Sequence, residues 1–348
     1  MLHFGIIGAG NISQSGFDGI VKSGKAEVAA VADIHAERLA LYAGRNKIGT
    51  TYDTAEDLIR DGSLDAVYIA VPNAFHAPYA VAALEAGKHV ILEKPFATSH
   101  AEAAKVVQAA RKSGKRFMVG MNQRFEKGPQ QVRALAERGY FGDIYRMRAF
   151  WRRRAGAPRF GTWFGNRKLA GGGSFLDIGV HMLDLALWAS GNFDARTVSG
   201  AVYTKFGNRG IGEGGWGHST PEGLAFDVDD CALAFVRMEN GATVQMEISW
   251  VAHQKEGETH NVELFGSEAG ALLYPGEIYR FDKDLDAPVD MSPARVPLKY
   301  PHCNRFVNFV LSILEEEAPC VSHEESLAVQ RIIDAVYESA ASGREVRL

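Results

Sequence analysis

The six residues Leu2 to Ile7 form a short apolar run that stops on Gly8-Ala9-Gly10-Asn11-Ile12-Ser13. Strand, glycine turn and helix in that order predict the opening of a βαβ unit that holds a dinucleotide. Gly8 permits the tight turn, Gly10 lets a pyrophosphate approach the backbone, and the helix start from Asn11 and Ile12 onward offers N–H groups and a positive dipole end. Ser13 stands where the third glycine or alanine of the pattern usually falls. A second strand, Val28 to Ala32, ends on Asp33, about 20 residues on, where an acid accepts hydrogen bonds from the adenosine ribose. Asp33 repels a 2′-phosphate, so NAD is expected over NADP, with Arg38 one helical turn further moderating that preference.

Strand and helix continue to alternate, which predicts a doubly wound parallel sheet and an α/β fold class. Ala66 to Val71 reads as a buried strand, Ala77 to Ala86 as a helix, His89 to Leu92 as a strand, Ala101 to Ser113 as a helix, and Phe117 to Gly120 as the sixth strand. Ligands of such sheets lie beyond the carboxyl ends of the strands. Two loops at those ends, Val71-Pro72-Asn73-Ala74-Phe75-His76 and Glu93-Lys94-Pro95, are therefore expected to face the cofactor. Pro95 holds Lys94 extended, and Glu93 stands near it as a charge partner. Asn122 and Arg124 follow the last of these strands, where a polar pair meets substrate or the nicotinamide carboxamide, or else ties two domains together.

In the second half, Gly171-Gly172-Gly173 opens a helix expected over Ser174 to Ala189 and carrying Asp177 and His181. Side chains four apart on a helix are neighbours. A carboxylate beside an imidazole fixes its tautomer and suits it to proton exchange near neutrality, although the same pair also reads as two partnered polar groups on a core helix. Arg146 to Arg153, Phe226 to Met238 and Thr243 to Val251 read as strands, the last two forming a hairpin across Glu239-Asn240-Gly241. Further helices are expected over Asn304 to Glu317 and Glu324 to Ala341. The run Phe206 to Gly223, glycine-rich and holding Trp216 and His218, is long enough to serve as a lid.

Composition removes several classes of function. A net charge of -4 argues against nucleic acid. No apolar run approaches the ~20 residues that cross a bilayer, and no signal-peptide pattern opens the chain. Cys231, Cys303 and Cys320 have neither zinc nor redox spacing, so a cytoplasmic protein without a metal site is expected.

Taken together, Gly8-Ala9-Gly10, Val71-Pro72-Asn73 with His76, Glu93-Lys94-Pro95, Asn122 with Arg124, and Asp177 with His181 resemble the Gfo/Idh/MocA family of oxidoreductases. The tail Tyr337-Glu338-Ser339-Ala340 and Gly343-Arg344-Glu345-Val346 is similar as well. The resemblance implies a dinucleotide-binding Rossmann domain over 1–121. It implies an α/β domain over 122–348, built on a large open mixed sheet, that binds substrate and forms a homodimer or homotetramer. It also implies transfer of a hydride between NAD and a secondary hydroxyl or carbonyl of a sugar, polyol or cyclic polyol. Lys94, Asp177 and His181 match the family's catalytic lysine, aspartate and histidine, with His181 as acid/base, Lys94 stabilising the alkoxide and Asp177 orienting. Lys94, Asn122, Arg124, Trp163, Asp177 and His181 are the substrate contacts this implies, with Trp163 stacking on a sugar ring or packing as a core residue. Relatives that use NAD to cleave glycosidic bonds, and relatives that sense NAD as regulators without catalysis, give two alternatives. Retention of all three catalytic matches argues against the sensor.

Overall fold

In the first half the chain alternates strand and helix. The computed structural model describes residues 1–217 and 225–348. β1 (Leu2–Ile7) leads to α1 (Ser13–Lys22), β2 (Ala26–Ala32) to α2 (Ala36–Asn46), and β3 (Thr50–Tyr52) to α3 (Ala55–Arg60). β4 (Ala66–Ile69), α4 (His76–Glu85), β5 (His89–Leu92), α5 (His100–Ser113) and β6 (Phe117–Val119) follow. The strands lie parallel in the order β3-β2-β1-β4-β5-β6, so the sheet winds outward in both directions from β1 and β4. β4 is completely buried, as a strand covered by helices on both faces must be. β3 is absent from the sequence reading because Thr50-Thr51-Tyr52 is short and polar; pairing with Ala30–Ala32 makes it a strand. α5 has a recognisable start and stop: the Ser99 hydroxyl accepts from the Glu102 N–H, and Gly114 closes the helix at φ +68°.

The second half is organised differently. α6 (Lys127–Ala136), β7 (Ile144–Arg153), α7 (Arg167–Ala170) and α8 (Val180–Ser190) precede the strands β8 (Ala195–Tyr203), β9 (Cys231–Met238), β10 (Thr243–Ser249), β11 (Glu258–Gly266), β12 (Gly270–Leu272), β13 (Glu277–Asp282) and β14 (Ala287–Met291). α9 (Arg305–Ile313), α10 (His323–Ser342) and β15 (Val346–Arg347) end the chain. Nine strands form one mixed sheet in the order β14-β13-β12-β11-β7-β10-β9-β8-β15, in which β7 and β10 run parallel and the other pairs antiparallel. The Asn240-Gly241 hairpin forms as expected, with Gly241 at φ +89° and Thr243 opposite Arg237. Several boundaries differ from expectation, α9 among them, which ends at Ile313 and not at Glu317. Phe226 to Asp230 lies outside β9, and the helix expected from Ser174 begins with a π-helical turn, Phe175–Gly179, before α8.

α8 packs on β7 and β11. Met147 and Ala149 of β7 are buried, and the alternation of a strand sends Arg146, Arg148, Phe150 and Arg152 to the other face. The arginines of β7 are thus divided between two faces, with Arg153 on the side of Trp151.

The chain forms two compact units, one of residues 1–122 with 304–327 and the other of 123–303 with 328–348. The reason 304–327 belongs to the first unit is visible at Arg305. Its buried guanidinium donates to the Glu93 carboxylate and to the carbonyl of Gly120. The Tyr68 hydroxyl donates to the same carboxylate at 2.5 Å, and the Phe306 ring stands edge-on to Tyr68 with centroids 4.9 Å apart.

Candidate active site

Gly8 adopts φ +97°, and a Cβ there would lie 2.3 Å from the Ala70 carbonyl oxygen, so only glycine fits the turn. Gly10 is different. A Cβ at Gly10 would meet no protein atom within 4 Å, so the space in front of it is open to a ligand. Asn11 and Ile12 are exposed, and the N-cap residue Ile12 makes no side-chain cap. A helix start of that kind presents its N–H groups and dipole to an anion. Ser13 is buried, and its hydroxyl donates to the Gly8 carbonyl at 2.5 Å. The close helix-to-strand approach falls one turn later, where a Cβ at Gly16 would lie 2.2 Å from the Tyr68 ring.

Asp33 is buried at the end of β2. Its carboxylate accepts from the backbone N–H groups of Ala9 and His35, both at 2.8 Å, and from Arg38 through Nε at 2.9 Å and Nη2 at 2.7 Å. Burial alone pushes its carboxyl up; the Arg38 fork and the two N–H groups reverse that and hold it below the usual carboxylate range. Asp33 is therefore charged at neutral pH. Arg38, expected among the cofactor contacts, has its guanidinium forked onto Asp33.

The two loops at the carboxyl ends of β4 and β5 are joined by His76. Asn73 is buried in a 3-10 turn, Asn73–Phe75, after the half-buried Val71 and Pro72. The His76 ring is fully buried, with Nδ1 2.7 Å from the Pro95 carbonyl and Nε2 2.9 Å from the Val71 carbonyl. Burial pushes its imidazole down against the pull of both carbonyls. His76, expected to touch the cofactor, ties the two loops together through these carbonyls. Glu93, expected as a cofactor contact and partner for Lys94, is buried with its carboxylate held by Tyr68 and Arg305. Lys94 itself is half-buried.

Asn122 is exposed at the start of a 3-10 turn, Asn122–Phe125. Arg124 is fully buried, forks onto Asp184 at 2.8 and 2.5 Å, and lies 5.7 Å from the ring centres of both Trp188 and Phe193. Arg124, expected as a substrate contact, is thus tied to Asp184 in the core of its own unit. Trp163 is half-buried and stacked on Phe164 at 3.8 Å.

Asp177 and His181 are both buried. Asp177 stands in the π-helical turn and accepts from the indole Nε1–H of Trp250 at 3.0 Å. The His181 ring lies 6.0 Å from the ring of Trp151, which is stacked on His260 at 4.9 Å and donates from Nε1 to Glu258 at 2.6 Å. Trp250 and Trp151 were invisible as site residues in the sequence, since each is one aromatic in a strand-like stretch. The glycine-rich run is tied down over its described part: the Ala157 N–H donates to Gly212, the Gly214 N–H to Ala157, and the Trp216 indole to Gly156. His218 lies outside the described residues. Among those described, no group of His, Cys, Asp and Glu could hold a metal ion, and no helix is long and apolar enough to cross a membrane.

Residues 2–121 match the GFO_IDH_MocA oxidoreductase family with its NAD-binding Rossmann fold, and residues 130–272 match the GFO/IDH/MocA C-terminal domain. The D-glucoside 3-dehydrogenase of Escherichia coli (strain K12) is 29% identical over 100% of this chain and 97% of its own. The 1,5-anhydro-D-fructose reductase of Ensifer adhaerens is 32% identical over 78% of this chain and 75% of its own. A solved levoglucosan dehydrogenase in complex with NADH and levoglucosan superposes with a TM-score of 0.82 at 25% identity, covering 99% of both chains. With the glycine turn, the charged Asp33 and the strand order in place, these matches identify the chain as a member of the Gfo/Idh/MocA family of NAD-binding oxidoreductases.

Proposed function

We propose that this protein is an NAD-dependent dehydrogenase for a secondary hydroxyl of a sugar or sugar derivative, with the first unit taking the dinucleotide and the second the substrate. The observation that carries it is the start of α1 behind an open Gly10, with the charged Asp33 at the end of β2. Gly8, Gly10, Asn11 and Ile12 would hold the pyrophosphate and Asp33 the ribose, and Val71, Pro72 and Asn73 would line the nicotinamide side. Bound there, NAD supplies the two-electron acceptor, and NADH the donor in the reverse direction. The activities for which relatives are named, on glucosides and anhydrosugars, support a sugar over other alcohols.

The protein's own residues manage the proton and the charge. His181 takes the hydroxyl proton, since imidazole is the side chain whose ordinary pKa falls nearest neutrality. Lys94 stabilises the negative charge that develops on the hydroxyl oxygen. Asp177 orients the acid/base, and Asn122 and Trp163 are substrate contacts. Absorbance of reduced nicotinamide, followed while the protein and NAD are screened against sugars, inositols and anhydrosugars, tests the activity. Growth with one class is expected, and silence across the panel with NAD binding intact rejects it. His181→Ala is expected to lower turnover by roughly 10² to 10⁴; near-normal turnover removes His181 from the mechanism.

The open face of the nine-stranded sheet supports a homo-oligomer. It carries exposed Leu233 and Phe235 beside Arg148, paired with Glu263 at 3.5 Å, and Arg152, paired with Glu247 at 3.5 Å. A face with apolar residues and charges of both signs is suited to self-association across a two-fold axis. Light scattering at a mass above the 37.9 kDa chain is expected; a monomer rejects it. Three free cysteines are in keeping with a reducing cytoplasm.

A further inference from the structure

The turn that carries Asp177 is held at two points by side chains distant in sequence. At one point it is Trp250, which is fully buried. Its backbone N–H donates to the Asp230 carbonyl at 2.8 Å, and its indole N–H to Asp177 Oδ2 at 3.0 Å. The donor is therefore fixed at both ends of the residue.

At the other point it is Asp229, also buried. Its Oδ1 accepts from the Gly173 N–H at 2.8 Å and the Tyr337 hydroxyl at 2.9 Å. Its Oδ2 accepts from the Phe175 N–H at 2.9 Å and the Ser174 hydroxyl at 2.8 Å. Four donors on two oxygens use the carboxylate's acceptor sites fully. Two of them are backbone N–H groups of the kind that a helix start leaves without intrahelical acceptors. Burial and the Asp229 charge push the Tyr337 hydroxyl well above its ordinary range, so it remains a donor.

The turn needs such a frame because it is π-helical, and such turns are rare and interrupt the α-helical register. A slip into α register over Phe175–Gly179 would rotate Asp177 relative to His181, four residues on. We propose that Trp250 and the Asp229–Tyr337 pair are positioning residues for the oxidation: they hold the wide turn in register and keep the Asp177 carboxylate in one orientation. This rests on the roles given above to Asp177 and His181.

The test uses the full chain labelled with ¹⁵N. Its five tryptophans give five indole N–H resonances, and the one lost in Trp250→Phe belongs to Trp250. Asp177→Asn is expected to move that resonance by several linewidths. Tyr337→Phe, which removes one hydroxyl from Asp229, is expected to move or broaden it too. In turnover with the sugar that gives the strongest NADH signal, Trp250→Phe and Tyr337→Phe should each lower kcat roughly tenfold, the scale of one hydrogen bond to a charged group, while KM for NAD changes less than about twofold. A Trp250 resonance indifferent to Asp177→Asn overturns the proposal. So does unchanged kcat in both Trp250→Phe and Tyr337→Phe while Asp177→Asn is inactive. Normal turnover in Asp177→Asn overturns the catalytic assignment, and this proposal with it. Should Trp250→Phe fold poorly, Tyr337→Phe carries the same readouts.

Discussion

At Gly8–Ser13 the groups proposed to face the dinucleotide belong to the backbone, and the residues that shape them lie between Leu2 and Arg38 together with Ala70 at the end of β4. At Gly173–His181 the groups proposed to work on substrate are side chains, and the residues that shape the turn carrying them are Asp229, Trp250 and Tyr337. Both regions use a buried carboxylate that collects backbone N–H groups. Asp33 takes two of them and a partly exposed arginine at the end of a strand, whereas Asp229 is closed on all sides by four donors from its own unit. The first arrangement leaves a carboxylate placed to meet a ligand. The second organises a neighbouring turn.

The contrast is open to test, most severely at Arg124. Replacing Arg124 by Ala strands the Asp184 charge in the core, and a loss of about 3–5 kcal/mol in chemical denaturation is expected. Unchanged stability with a raised substrate KM would instead return Arg124 to the substrate contacts.

A matched pair of glycine substitutions sharpens the comparison further. In Gly173→Ala the new methyl would lie 1.9 Å from the Asp229 carbonyl oxygen, so a loss of about 1–3 kcal/mol or more is expected, measured by thermal unfolding. In Gly10→Ala the methyl meets no protein atom within 4 Å; the unfolding midpoint should stay put while NAD affinity falls in a fluorescence titration. Equal stability losses at the two sites would erase the distinction between a glycine kept for packing and one kept for a ligand.

The smallest effect concerns pH. His89, at the start of β5, accepts from the Arg116 N–H at 3.0 Å and is pushed down to about 4, by burial first and then by Lys115. The unfolded chain takes up that proton near pH 6.5, so the stability from His89 is complete above that value and is lost as pH falls toward 4. The side chain is partly exposed, and its contribution is about 1 kcal/mol or less after solvent screening. His89→Gln should flatten stability against pH between 6.5 and 4; an unaltered slope assigns the acid sensitivity elsewhere.

What could be read from the sequence follows the same division. The turn at Gly8, the acid at Asp33 and the alternation of elements were legible, because a strand-turn-helix unit is specified by contiguous residues through period, turn chemistry and spacing. The Asn240-Gly241 hairpin was legible for the same reason. β3 was not, because its partner strand, not its composition, makes it a strand. Nor was the return of 304–327 to the first unit, which depends on Arg305 meeting Glu93 and Tyr68 across the chain. Glu93, His76 and Arg124 were each drawn to notice by position beside a strand end or loop, yet only burial and partner geometry separate a residue that shapes a loop from one that faces it.

Sequence by itself determined the parallel sheet, the dinucleotide turn, the family, and the presence of Asp177 and His181 on one helical segment. Tertiary structure alone decided that this segment begins as a π-helical turn and that Trp250 and Asp229 hold it. The physical reason is range: hydrogen bonds and steric limits between neighbours are written in local spacing, whereas the partner of a buried carboxylate is chosen by the packing of elements that meet only when the chain has folded.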